Sequence, residues 1–194
     1  MPRRLVVGGD KGEVVVRFGR ERGQATVVFA LCPGANHDLT EFDSGNEELD
    51  SWLRRHAVAA QQMDSARTLL LVLEGRVLGY FSLTMGSVQR AEAPPKLVRG
   101  LPSYPVGMVL LARLAVDRRS QGQGLGAALL AEALRKALVG GDAAAARLVV
   151  VDAIDEGAAR FYARHGFVAA PEHPLRLYRR MEDIRQSLEG AGSS

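Results

Sequence analysis

The chain is poor in the residues that staple, span or chelate. Its 194 residues hold one cysteine, Cys32, so an internal disulfide is excluded, as suits a reducing cytoplasm. Cys32 also stands outside every recognisable motif, which argues against a catalytic thiol. No apolar run approaches the roughly 20 residues that cross a bilayer, so no membrane association is expected. Arg3 and Arg4 precede Leu5-Val6-Val7, but glycine and acidic residues follow at once, unlike a signal peptide. A cytoplasmic protein is expected. Lysine is scarce: Lys11, Lys96 and Lys136 are the only three among 25 basic residues. The rest are arginines, whose planar fork suits phosphate. With a formal charge of +3 and a pI near 9.3, the composition leans toward an anionic partner.

What is present is ordinary for a globular protein: 47% hydrophobic and 24% charged residues. The length fits one domain that buries about 70% of its unfolded surface. Residues 1–35 read as an N-terminal extension of uncertain status, with short strand-like runs at Val14–Val16 and Thr26–Leu31. The folded domain is expected over 36–189, with a frayed tail at 190–194. Ser44-x-x-Glu47 reads as a capping box, with Asn46 as an alternative cap. The helix it opens carries Leu49, Trp52, Leu53, His56, Ala60 and Met63 on one face, with His56 as a packed core residue rather than a base.

Thr68–Leu73 and Val77–Met85 read as a hairpin turning at Glu74-Gly75-Arg76. Residues 86–107 are rich in proline and glycine and read as a long loop rather than packed structure. Gly107–Val116 is a nearly continuous apolar strand, and the helix after it is expected to run to Val139 and stop at Gly140-Gly141. Arg147–Val151 reads as a strand and Asp155–His165 as a helix stopped by Gly166. A last strand is expected at Leu175–Met181, then a short polar helix at 182–189. Strands alternating with helices after a hairpin give a mixed α/β class.

The most informative stretch is Gln121-Gly122-Gln123-Gly124-Leu125-Gly126, at the junction between the apolar strand and its helix. Alternate glycines let the backbone approach an anion, and the N–H groups at a helix start point at it. A P-loop would need Lys-Ser or Lys-Thr after the last glycine, where Ala127-Ala128 stand. A dinucleotide fingerprint would read Gly-x-Gly-x-x-Gly early in the domain, with an acid about 20 residues on. What remains is the pyrophosphate loop of an acyl-CoA enzyme.

Leu110–Asp117, the Gln-x-x-Gly-x-Gly at 121–126 and Ala158-x-x-Phe161-Tyr162-x-x-x-Gly166-Phe167 together resemble the GNAT acetyltransferase superfamily. Phe42-Asp43-Ser44-Gly45, Leu49-Asp50-x-Trp52-Leu53, Ala66-Arg67-Thr68, Gly79–Leu83 and Gly100-Leu101-Pro102-x-Tyr104-Pro105-Val106 further resemble one branch, the acetylating toxins of bacterial toxin–antitoxin pairs. That branch acetylates the amino group of aminoacyl-tRNA. The resemblance implies the GNAT fold: a central, mostly antiparallel twisted sheet splayed at the acetyl-CoA site, with helices on both faces.

It also implies site residues. Leu114, Ala115 and Val116 would pair with pantetheine, and the backbone of Gln121, Gly122, Gln123, Gly124, Leu125, Gly126 and Ala127 would hold the pyrophosphate. Tyr162 would protonate the departing thiolate, since a phenol of pKa about 10 keeps its proton at neutral pH. Asp155 would contact the cofactor where much of the superfamily has asparagine. Gly107-Met108 replaces the proline usual after Tyr-Pro-Val in the toxin branch.

No side chain stands out as a base, which favours an α-amine of pKa about 8 over a lysine near 10.4. A tRNA would need cations, for which Arg90, Lys96 and Arg99 are the candidates, beside Arg67, Arg76, Arg164, Arg176, Arg179 and Arg180. The resemblance implies a small ribbon-helix-helix antitoxin and a homodimer as partners, and no metal. Two rival readings are an acetyltransferase of small amines or peptide N-termini, and a non-enzymatic acyl-CoA-binding or repressor-complex subunit.

Overall fold

The computed structural model describes residues 13–15, 26–31, 38–101 and 104–191. Cys32, and the parts of 1–35 outside β1 (Glu13–Val15) and β2 (Thr26–Leu31), lie outside them. The further strands are β3 (Arg67–Leu73), β4 (Arg76–Val88), β5 (Val106–Val116), β6 (Leu148–Asp152), β7 (Val168–Ala169) and β8 (Arg176–Arg180). The helices are α1 (Glu47–Arg55), α2 (Ala57–Gln62), α3 (Leu125–Ala143), α4 (Glu156–Arg164) and α5 (Met181–Ala191). The mixed α/β class is as the sequence implied.

Two compact units share β4 and β5. The first runs up to Ser82 and resumes over Arg113–Glu132. In it the strands follow the order β1-β2-β3-β4-β5, and β2 pairs antiparallel with β3 from Val28↔Val72 to Leu31↔Leu69. The sheet is therefore entered before residue 36. β3 and β4 form the expected hairpin, with positive φ at both Glu74 and Gly75, which matches the twist of the flanking strands. Phe42, Leu53, Ala57, Leu70, Val72, Val77, Tyr80 and Ala115 make its core beneath α1 and α2.

The second unit comprises Leu83–Ala112 and the chain from Ala133 onward, with strand order β4-β5-β6-β8-β7. β5 and β6 are parallel over Met108↔Leu148 to Leu111↔Val151, whereas β8 pairs antiparallel with β6 and with β7. Its core joins Val88, Ala93, Leu97, Val98, Val106, Met108, Leu148, Val150, Ala170 and Tyr178.

Several local expectations are corrected. The N-cap of α1 is Asn46, whose side chain accepts from the Leu49 N–H at 3.1 Å. Ser44 instead donates its hydroxyl to Asp50 at 2.6 Å, because that carboxylate is buried and needs donors. The helix breaks at His56 into α1 and α2, and His56 is exposed rather than packed in the core.

The loop expected at 86–107 is shorter at both ends, because β4 runs to Val88 and β5 starts at Val106, and the stretch between them is packed: Ala93, Leu97 and Val98 are buried. α3 passes through Gly140-Gly141 to Ala143. A Cβ on Gly141 would sit 2.4 Å from Met181 Cε and 3.4 Å from Val109 Cγ2, so this glycine serves close packing rather than a stop. α5 is amphipathic rather than polar, with Met181 and Ile184 buried.

Candidate active site

β5 outlasts its pairing with β6. The ladder ends at Leu111↔Val151, and Leu114, Ala115 and Val116 continue past it without a partner on β6. Asp117 then closes the strand by donating its N–H to the Leu78 carbonyl at 2.9 Å.

Asp117 ties the strand end to the glycine turn. Its side chain is fully buried and accepts from the Arg119 N–H and Nε at 3.0 Å each, from Arg119 NH2 at 3.0 Å and from Arg76 NH2 at 3.1 Å. The Asp43 N–H adds a longer bond at 3.4 Å. Burial opposes ionisation of this carboxyl, but the Arg119 and backbone bonds outweigh it and hold its pKa at about 2. The Arg118 N–H donates to the Asp43 carbonyl at 2.8 Å, and Arg118 lies against Gly45.

The turn proper, Gly122–Gly124, leads straight into α3. Gly122 and Gly124 take φ of +72° and +83°, a conformation that costs a side chain about 1–2 kcal/mol. The Ala128 N–H returns to the Gly124 carbonyl at 3.2 Å. The N–H groups of Leu125, Gly126 and Ala127 therefore precede the first helical bond, and among the described residues they have no acceptor. Three such donors at a helix start, after a turn whose two glycines carry no side chain, suit a diphosphate. The Gln121 side chain bridges the Ser44 and Val116 carbonyls at 2.9 Å each. Gln123 reaches the Arg119 carbonyl at 3.4 Å. Both side chains brace the turn and leave only their backbone for an anion.

In the second unit, Tyr162 on α4 is buried, with Phe161 edge-on at 5.2 Å and Phe167 edge-on at 5.6 Å. Phe161 is the more exposed of the two. Among the described residues the Tyr162 hydroxyl has no hydrogen-bond partner. Burial pushes its pKa well above the usual tyrosine value, so it remains a protonated donor. Asp155 is occupied as the N-cap of α4, its Oδ1 accepting from the Ala158 N–H at 2.7 Å.

The basic candidates divide. Lys96 and Arg99 are exposed, whereas Arg90 donates to the Leu101 carbonyl at 2.7 Å and holds its own segment together. Arg67 pairs with Asp64, Arg76 with Asp117 and Arg176 with Asp152, and Arg179 bonds Ser187 at 2.5 Å, so these brace the structure. Arg164 is exposed and Arg180 half-buried.

Sequence reasoning gave no role to Asp117, Asp50 or Arg113. An arginine inside the apolar run Val109–Val116 and an acid at its very end were the available signals.

Residues 64–169 match the acetyltransferase (GNAT) domain. A curated relative, the tRNA-acetylating toxin of Mycobacterium tuberculosis (strain ATCC 25618 / H37Rv), is 39% identical over 148 residues, covering 76% of this chain and 89% of the relative. The solved toxin AtaT in complex with acetyl-methionyl-tRNAfMet superposes with a TM-score of 0.76 at 30% identity, over 84% of this chain and 99% of that one. A tyrosine-to-phenylalanine mutant of AtaT, bound to the C-terminus of the antitoxin AtaR and to acetyl-CoA, gives 0.71 at 29% identity, over 83% and 97%.

Proposed function

The chain belongs to the GNAT acetyltransferase family and is an N-acetyltransferase, and from that premise we propose that it is a toxin acetylating the α-amine of aminoacyl-tRNA. Acetyl-CoA supplies the activated acetyl thioester. The observation that carries the cofactor reading is the row of N–H groups at Leu125, Gly126 and Ala127, without acceptors among the described residues, behind two left-handed glycines. They bind the diphosphate, and the open edge at Leu114–Val116 pairs with the pantetheine arm. A backbone N–H on that edge stabilises the charge that grows on the thioester oxygen during attack.

The neutral amine attacks the carbonyl carbon; a C–N bond forms, the C–S bond breaks and the amine proton leaves to solvent. Tyr162 gives its phenolic proton to the departing sulfur and is reprotonated from solvent. A hydroxyl that is buried, protonated and unpartnered among the described residues suits that task. No basic side chain is assigned, because an α-amine is already partly neutral at physiological pH.

The acceptor reading is supported by the 39% identical toxin and by the tRNA complex of AtaT. Acetylated aminoacyl-tRNA cannot accept a peptide, so the product arrests translation. The antitoxin complex of AtaT supports a cognate antitoxin here. Lys96 and Arg99 are exposed cations offered to the tRNA backbone.

The test is transfer of labelled acetyl from acetyl-CoA to total charged tRNA. Label that becomes releasable with the amino acid by mild alkali supports the reading. Label in free amines or peptides and none in charged tRNA overturns it.

A further inference from the structure

Arg113 lies in β5 immediately before the cofactor edge, and it is half-buried. Among the described residues its guanidinium has no hydrogen-bond acceptor and no ion pair; its defined partner is the Trp52 ring, 4.0 Å below. The stack continues downward. Trp52 lies parallel to Tyr80 at 6.1 Å and 11°, and Phe42 meets Tyr80 edge-on at 5.7 Å. Tyr80 is fully buried, and its hydroxyl donates to the Leu49 carbonyl at 2.8 Å. The guanidinium is thus held on a rigid aromatic column rooted in the core.

Five N–H donors cannot stay both half-desolvated and unpaired without cost. Other arginines of this unit already have partners: Arg54 pairs with Glu47, Arg67 with Asp64, and Arg76 and Arg119 with Asp117. The carboxylate that Arg113 feels is Glu48 on α1, which forms no ion pair with it. A planar, weakly hydrated cation on an indole is the chemistry that grips an oxyanion in a fork while offering a stacking surface to an unpaired base.

We infer that the Arg113–Trp52 stack is a recognition site for the single-stranded acceptor end of the tRNA, with Arg113 gripping a phosphodiester beside the aminoacylated nucleotide. This rests on the proposal that aminoacyl-tRNA is the acceptor. The phosphates of acetyl-CoA are the other source of such an anion, but the N–H groups of the glycine turn already serve the diphosphate.

The test compares Arg113→Gln, Arg113→Lys and wild type in the full chain, with two acceptors bearing the same amino acid: charged tRNA, and aminoacyl-adenosine, which has no phosphodiester. Arg113→Gln is expected to lose kcat/KM on charged tRNA at least about ten-fold more than on aminoacyl-adenosine, mainly through KM, the worth of one charge-assisted bond. Arg113→Lys keeps the charge but not the fork and falls between; it also serves if the glutamine variant does not fold. Calorimetry should find acetyl-CoA binding within about two-fold of wild type in both variants. Equal losses on the two acceptors, or a loss confined to acetyl-CoA affinity, overturn the inference while leaving tRNA acetylation standing. Failure of the wild type to acetylate charged tRNA overturns the acceptor reading itself, and this inference with it.

Discussion

Arg119 grips Asp117 with three of its nitrogens: the backbone N–H and Nε reach Oδ1 at 3.0 Å, and NH2 reaches Oδ2 at 3.0 Å. The pair fastens the end of β5 to the start of the glycine turn, and Arg76 and the Asp43 N–H complete the shell. Asp117→Asn removes the charge from a fully buried position and leaves these donors under-satisfied. A loss of about 2–3 kcal/mol in urea unfolding is expected, with weaker acetyl-CoA binding because the turn loses its anchor. Unchanged binding would show that the turn holds its shape without Asp117.

The same carboxylate sets an acid limb. Its folded pKa, about 2, lies below the usual aspartate value of about 3.9. A depressed folded value contributes stability that is present above the unfolded pKa and is lost as pH falls through the folded one. Wild-type stability should therefore decline between about pH 4 and pH 2, and Asp117→Asn should flatten that part of the profile in thermal melts.

Tyr162 makes the opposite demand on pH. Burial raises its pKa, so the donor form persists through the neutral and mildly alkaline range. The rate of acetyl transfer should show no fall from loss of this proton around pH 10, where an ordinary tyrosine of pKa about 10 ionises. Tyr162→Phe keeps the ring among Phe161 and Phe167 and should lower kcat by about 10²–10⁴ with little change in melting temperature. A wild-type rate in this variant would remove Tyr162 from the chemistry.

Gly79 faces β5 at Ala115, on the edge proposed to take the cofactor. A Cβ there would stand 2.8 Å from the Ala115 carbonyl oxygen and 2.6 Å from Leu129 Cδ1. The leucine can turn away, but the backbone oxygen cannot. Gly79→Ala should cost about 1–3 kcal/mol and weaken acetyl-CoA binding by displacing Ala115, measured by melts and calorimetry together.

Asn46 and the basic surface separate bracing residues from tRNA contacts. Asn46→Ala should destabilise by about 0.5–2 kcal/mol as a lost cap. Arg90→Glu should lower the melting temperature, because it breaks the bond to the Leu101 carbonyl, whereas Lys96→Glu and Arg99→Glu should raise KM for charged tRNA and leave melting unchanged.

The parts legible in the sequence are those written in local pattern. The β3–β4 hairpin, the apolar run of β5, the glycine turn and the Asp155-capped α4 each declare themselves through short-range chemistry. The rest depends on partners distant in the chain. Gly140-Gly141 reads as a stop until Met181 and Val109 are seen against it. Ser44 reads as a cap until the buried Asp50 claims it. The proline-rich stretch between β4 and β5 hides the burial of Leu97 and Val98, because its irregular backbone carries no periodicity. The Gln121 side chain donates to the Ser44 carbonyl, 77 residues away in sequence, a bond that no local pattern announces. Asp117 and Arg113 are visible as polar residues in or beside an apolar strand, yet their roles need Arg119, Arg76 and Trp52 in space.

Every chemical step rests on the diphosphate seated at Gly122–Ala127, and titration calorimetry of the full chain with acetyl-CoA probes that seat without intermediaries. Saturable binding of one acetyl-CoA per chain is expected, weakened when a bulky residue replaces Gly124. Absence of any binding heat from protein that melts cooperatively would refute the cofactor site and the mechanism built on it.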